Sequence, residues 1–159
     1  MKPRSIDSIQ HTEQKKPAGM PDVSSFTPAD FRLTIAEQVR LDNMGLAEAL
    51  GEAGLSLYPE SEDVLAIVAL LAEVRQDWAS AIDHLSTLVA VQKELSPPTT
   101  WHHWIRSLRC NCEPREALQV AEKALRLYPE DKTLITEYQD LKLWSGGSCL
   151  MEGTSNHQH

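Results

Sequence analysis

The sequence predicts an all-α protein, a solenoid of antiparallel helix pairs with about seven helices. A segment that ends in LYPE occurs twice, at residues 54–60 and 124–130. A middle copy is marked by Ala81, which lies roughly midway between the equivalent alanines Ala47 and Ala117. The three copies fit a period of about 34 residues, which is typical of helix pairs that stack on one another, so three pairs are predicted.

Each helix is predicted by its apolar period and by the prolines, glycines and caps that bound it. The first helix has the clearest start, because Thr27 can cap it, Pro28 suits its first position and Asp30 completes a variant of the capping box. Gly45 separates the first two helices, and Pro59 ends the second. The predicted helices span about 28–43, 46–58, 61–75, 78–95, 98–110, 114–128 and 132–144.

The third predicted helix should be buried on more than one side. Leu65 and Ala72 belong to one helical stripe, yet Leu70 and Val74, outside that stripe, are apolar as well. A helix that is apolar all round packs against neighbours on several sides. This pattern suits the central pair of a stack.

The helical domain is predicted to span residues 28–144. Its pairs are expected at about 28–61, 62–97 and 98–131, with a capping helix at 132–144. The interval from Ala81 to Ala117 is slightly longer than the interval from Ala47 to Ala81, which predicts a third pair that is set at a slightly different angle. The flanking segments 1–27 and 145–159 are polar and lack a helical period, so both are predicted to be disordered tails.

The repeated residues resemble the tetratricopeptide repeat (TPR) family over residues 28–131. The family pattern places a large residue early in each first helix, here Phe31, Leu65 and Trp101. It places small residues where the helices cross, and this chain has Ala47, Ala81, Ala117, Gly54 and Ala124 there, whereas Leu88 and Ile105 are bulkier than the pattern. The resemblance implies a non-enzymatic protein-interaction module whose ligands lie along the concave surface of the first helices.

Charge and hydropathy exclude several classes of protein. The chain of 159 residues has a formal net charge of −8, and an acidic body repels phosphate, so no nucleic-acid partner is predicted. The longest apolar run, residues 64–72, is far shorter than the about 20 residues of a membrane span. No apolar segment follows the basic N-terminus. Three cysteines without a disulfide pattern predict reduced thiols and a cytoplasmic location.

His102 and His103, with Cys110 and Cys112 nearby, are the best candidates for a metal or thiol site. Their spacing does not suit one, because helical ligands pair at three or four residues and His103 is seven residues from Cys110. No general base or oxyanion site accompanies Cys110. The sequence therefore predicts no catalytic residue, no metal and no cofactor, and a thiol or metal role at the two cysteines is kept as the weakest alternative.

A partner-binding groove is predicted on the first helix of each pair. Its middle should be an apolar floor, with basic groups at both ends, and its partner a protein or peptide segment that is apolar with an acidic flank. The alternative is a solvated face in which neighbouring side chains cover Leu70. The groove residues are Arg32, Ala36, Arg40, Ala66, Leu70, Val74, His102, Arg106 and Arg109. One TPR subgroup grips a terminal carboxylate with asparagines, but Ala36 and Ile67 stand at those positions here, so that clamp is not predicted.

The predicted function is that of an adaptor or chaperone that binds a partner segment in this groove. Two alternatives stay open. The size, the acidity and the three repeats are similar to those of bacterial chaperones for type III secretion substrates. The exposed helix faces could instead join copies of the same chain into a self-assembling TPR scaffold, which would make the protein a homo-oligomer.

Overall fold

The computed structural model describes residues 21–147, which contain seven α-helices, one short 3-10 helix and no strand. The α-helices are α1 (Pro28–Arg40), α2 (Met44–Leu57), α3 (Glu62–Val74), α4 (Trp78–Gln92), α5 (Pro98–Cys110), α6 (Pro114–Leu127) and α7 (Lys132–Gly147). The predicted tails fall largely on residues 1–20 and 148–159, which lie outside the described residues.

The helices alternate between two roles at a regular spacing. The first helices α1, α3, α5 and α7 begin at Pro28, Glu62, Pro98 and Lys132, which matches the period of the sequence repeat. In each of the three pairs the first helix packs against the second, and each second helix packs against the next first helix, so that α6 packs against α7, which has no second helix of its own. The predicted all-α solenoid of helix pairs is confirmed.

The largest boundary errors lie at the helix ends. α1 ends at Arg40 instead of Asn43, and α4 ends at Gln92, after which residues Lys93–Leu95 form the 3-10 helix. α7 extends to Gly147, beyond the predicted end at Trp144. Such ends depend on turn geometry that apolar periodicity does not encode.

In the turn between the two helices of each pair, the residue at one equivalent position has a left-handed backbone conformation. Asp42, Gln76 and Cys112 have φ values of 58°, 60° and 61°. In each turn the following amide bonds back to the helix; the amide of Asn43, for example, donates to the carbonyl of Gln38 at 2.8 Å. This is a left-handed helix-ending geometry, and it assigns Cys112 a position in the backbone turn that Asp and Gln hold in the other two pairs.

The two LYPE segments tie the end of a second helix to the start of its own first helix. The Tyr58 hydroxyl donates to the Phe26 carbonyl at 2.8 Å, and the Tyr128 hydroxyl donates to the Ser96 carbonyl at 2.7 Å. Gln92 holds the equivalent position in the middle pair, and its amide donates to Glu62 at 2.9 Å. Each pair is therefore closed by one side-chain hydrogen bond.

The core of the first two pairs depends on close helix approach. A Cβ at Gly54 would lie 3.3 Å from the Phe31 ring and 3.2 Å from a methyl group of Val64, so glycine admits α2 between α1 and α3. Phe26 stacks edge-on against Phe31 with ring centroids 5.3 Å apart. The packed part of the chain therefore begins before residue 28, inside the segment that the sequence assigned to a tail.

The last helix covers the third pair and presents polar side chains outward. Leu134 and Leu141 of α7 are buried. Gln139 and Lys142 hold the positions of the buried Ile105 and Leu108 of α5, which pack in the third pair's core, and both are exposed in α7. A further helix would therefore find polar groups where it should pack, which is the property of a capping helix.

Removing the LYPE hydroxyl groups should destabilise the fold without disrupting its packing. Tyr128→Phe deletes the hydrogen bond to the Ser96 carbonyl, and we expect the free energy of unfolding to fall by about 1 kcal/mol in a denaturant titration. Tyr138→Phe is the matched control, since the Tyr138 hydroxyl makes no hydrogen bond within the described residues. Equal stability of Tyr128→Phe and Tyr138→Phe would refute the claim that the hydrogen bond from Tyr128 to Ser96 stabilises the fold.

Candidate functional site

Two apolar side chains of α3 lie open on the face of the first helices. Leu70 is 42% exposed and Val74 is 60% exposed, although Val68, Ala69 and Leu71 on the same helix are buried. The helix packs against α1, α2 and α4, and these contacts use its other apolar positions. Leu70 is thus only partly covered by its neighbours, and together with Val74 and the half-buried Ala66 it forms an apolar strip on α3.

Equivalent positions on the other first helices lie beside this strip on the same side of the array, and their side chains are partly apolar and partly basic. Ala36 and Arg106 correspond to Leu70, whereas Arg40, Cys110 and Trp144 correspond to Val74, at the same spacings that separate the helices. We call the surface formed by these positions, together with Leu70, Val74 and Ala66, the first-helix face. Trp144 is 53% exposed and was not among the predicted groove residues. Its signal was available in the sequence, since it lies one repeat period after Cys110.

The basic groups of the first repeat are paired within the chain. The Arg32 Nε lies 2.8 Å from the Asp63 Oδ1, and the Arg40 guanidinium makes two contacts with the Glu37 carboxylate, at 2.8 and 2.6 Å. The hydrogen bond from Arg40 lowers the pKa of Glu37. Acidic partners therefore neutralise the basic end that the sequence predicted at this side of the face.

Of the three predicted basic groove residues in the third repeat, two have acidic partners and one does not. The His102 Nε2 lies 3.4 Å from the Asp131 Oδ1, and Arg109 forms an ion pair with Glu137 of α7. Arg106 is exposed and has no hydrogen bond or ion pair within residues 21–147. Of the predicted basic groups, this guanidinium is the one left to a ligand.

Glu73 joins α3 to α5 through two hydrogen bonds. The His103 Nδ1 lies 2.7 Å from one carboxylate oxygen, and the Ser107 hydroxyl donates to the other at 3.0 Å. The Glu73 side chain is only 8% exposed. The hydrogen bond to Glu73 raises the pKa of His103, while partial burial and the charge of Arg106 oppose this shift.

The same two positions connect α5 to α7. Arg109 corresponds to Glu73, and Glu137 corresponds to His103, so the ion pair repeats the link with its charges exchanged. At the α1–α3 boundary these positions are Val39 and Ile67, which pack against one core cluster. The predicted groove residue Arg109 thus holds two helices together.

The predicted metal and thiol candidates do not converge. Within residues 21–147 no group of three His, Cys, Asp or Glu side chains could hold a metal ion. Cys110 and Cys112 are free and exposed, and His103 bonds to Glu73. Nor does any helix in that range have the length and apolar character to cross a bilayer.

No protein-family model matches the sequence, and comparison with curated proteins gave no match. Solved structures do match the chain. The second TPR domain of human RPAP3, solved by NMR with the HSP70 peptide SGPTIEEVD, superposes with a TM-score of 0.59 at 15% identity, over 73% of this chain and 98% of that domain. The fold is that of a tetratricopeptide repeat array.

A second TPR match has the same order of similarity. It is a chain of the APC/C hetero-tetramer Cut9–Hcn1, with a TM-score of 0.58 and 18% identity over 76% of this chain. This chain spans 24% of that longer one. The likeness establishes the TPR fold expected from the LYPE segments and the alanine positions.

The bond between Glu73 and His103 should make stability depend on pH. The pKa of His103 is higher in the folded chain than the unfolded value of about 6.5, so the bond's contribution is complete below that value and is lost as pH rises through the folded pKa. His103→Gln should therefore lower the free energy of unfolding more at about pH 5.5 than at about pH 8.5. The difference between the two losses should be about 1 kcal/mol or less, since solvent screens the partly exposed ring.

Chemical denaturation of both proteins across this pH range measures the difference. His84 is the control, because burial lowers its pKa and protonation opposes folding there. His84→Gln should gain stability relative to the wild type as pH falls, which is the opposite trend. A pH-independent difference for His103→Gln would mean that the bond to Glu73 does not discriminate between the protonation states.

Proposed function

We propose that this TPR array is a non-enzymatic module that binds an extended segment of a partner protein on its first-helix face. The observation that carries the proposal is the open apolar strip of Leu70 and Val74 in the central repeat. Apolar side chains left exposed on a rigid helical surface favour burial against a partner. The RPAP3 domain, which has the same fold, is solved with a peptide bound, and this supports a peptide ligand.

The partner segment that suits this face is apolar in its middle. An acidic flank fits the third repeat, where Arg106 is unpaired, better than the first, where Arg32 and Arg40 already have carboxylate partners. The sequence-based expectation of basic groups at both ends of the groove is therefore restricted to the end formed by the third repeat. The chain would act as an adaptor or chaperone in the cytoplasm, a compartment that suits its exposed, unpaired thiols.

A self-assembling scaffold is the second candidate. It is favoured by exposed apolar side chains away from the strip, such as Leu143, which is 76% exposed at the end of α7. Sedimentation at several protein concentrations separates the two functions. A protein that stays monomeric at every concentration would exclude self-assembly. Oligomerisation that prevents peptide binding would exclude the proposal that the first-helix face is open to a partner.

Leu70→Asp should abolish peptide binding and leave the fold intact. The new carboxylate would be desolvated against an apolar ligand, but it replaces a side chain that is already solvent-exposed. Random peptides of about 12 residues, long enough to cross the first helices, can be displayed on phage and selected against the wild type. A recovered peptide, fluorescently labelled, then reports affinity by polarisation.

Leu57→Asp is the matched control, because Leu57 is a similarly exposed leucine on α2, outside the first-helix face. We expect it to bind the peptide as the wild type does. Circular dichroism melts of both variants should resemble that of the parent. Unchanged binding by folded Leu70→Asp would refute the proposed face, as would a selection that recovers no peptide.

A further inference from the structure

The cleft between α5 and α7 has the features of a recognition subsite. Its volume is about 440 Å³, and it is lined by Arg106, Arg109 and Cys110 of α5 and by Glu137 and Trp144 of α7. We propose that this cleft binds an acidic side chain of the partner segment at Arg106 and a large apolar side chain of the same segment at Trp144. The inference rests on the proposed function, which requires only the apolar strip of α3.

The electrostatics of the cleft favour an anion. Arg109 and Glu137 neutralise each other, so Arg106 contributes a net positive charge within a chain of net charge −8. Asp140 holds the position of Arg106 on α7, but it does not line the cleft. An unpaired guanidinium can donate two parallel hydrogen bonds to one carboxylate, a geometry that an ammonium group cannot reproduce.

Trp144 supplies the apolar half of the subsite. Its side chain is 53% exposed, although an indole is among the largest apolar groups that burial could stabilise. Tryptophan and arginine are the residues that most often dominate the binding energy of an interface. Their occurrence together in one cleft is therefore the arrangement expected of a binding determinant.

The position of the cleft determines how far apart the contact residues lie along the partner segment. Neighbouring helices pack about 8–10 Å apart, and an extended peptide advances about 3.3 Å per residue, so about three residues separate contacts on successive first helices. The segment would place one apolar residue on Leu70 and Val74, an acidic residue about three positions along, and a second large apolar residue about three positions further. Because the chain continues past Arg106 to Trp144, the carboxylate belongs to an Asp or Glu side chain.

The phage selection tests this pattern when it is repeated with charge-reversed proteins. Wild type should enrich peptides with Asp or Glu between two apolar residues. Arg106→Glu should remove the acidic preference, whereas Arg115→Glu, an equal charge change on α6 outside the cleft, should retain it. For a recovered peptide, Arg106→Glu should weaken affinity about tenfold or more, and the loss should diminish as salt rises.

Trp144 is tested with its own neighbour as control. Trp144→Ala should weaken binding of the same peptide about tenfold, and Trp144→Phe should largely retain it. Leu143→Ala removes an adjacent exposed side chain that does not line the cleft, and it should change affinity less than about twofold. Similar effects of Trp144→Ala and Leu143→Ala would overturn the role of Trp144.

The outcomes separate this inference from the proposed function. Peptides that depend on Leu70 but show no acidic preference, or a preference that Arg106→Glu leaves unchanged, would overturn the subsite alone. The absence of any selected peptide would overturn both. Synthetic peptides with free and amidated C-termini should bind equally, and a loss of binding on amidation would assign the carboxylate to a chain terminus and overturn the side-chain assignment.

Discussion

The structure depends on burial of apolar surface between successive helix pairs. A single pair leaves one apolar face uncovered, and in this chain the next first helix covers it. The crossing positions show how close this packing is, since Ala47, Ala81 and Ala117 have no accessible surface. The array ends where the required apolar positions are replaced, at Gln139 and Lys142 of α7.

One pair of positions recurs at every boundary between successive first helices. The pair is apolar at the first boundary, a hydrogen-bonded carboxylate and histidine at the second, and an ion pair at the third. This use of charged side chains has a functional consequence. A residue such as Arg109, which bonds to the next helix, is not available to a ligand, and the chemistry of the exposed face is set by the positions beside it.

The exposed face is therefore asymmetric along the array. Its first-repeat end is neutralised by Asp63 and Glu37, its middle is apolar, and its far end carries Arg106 and Trp144. α7 has two roles that lie on different sides of one helix: its outer side is polar and stops the stack, and its last turn adds an aromatic side chain to the face.

The sequence by itself determined the repeat, the number of helices, the TPR fold and the residues of the core. The helical period and the spacing of Ala81, Tyr58 and Tyr128 depend only on the order of residues along the chain. The sequence also predicted that Leu70 lies on the exposed side of the central first helix, where the structure leaves it 42% exposed. It did not determine which cations stay free, since pairing can depend on a carboxylate of another helix, as for Arg32 and Asp63. Only the tertiary structure decided that Arg106 is unpaired and that Trp144 is open, because solvation is a property of neighbouring helices.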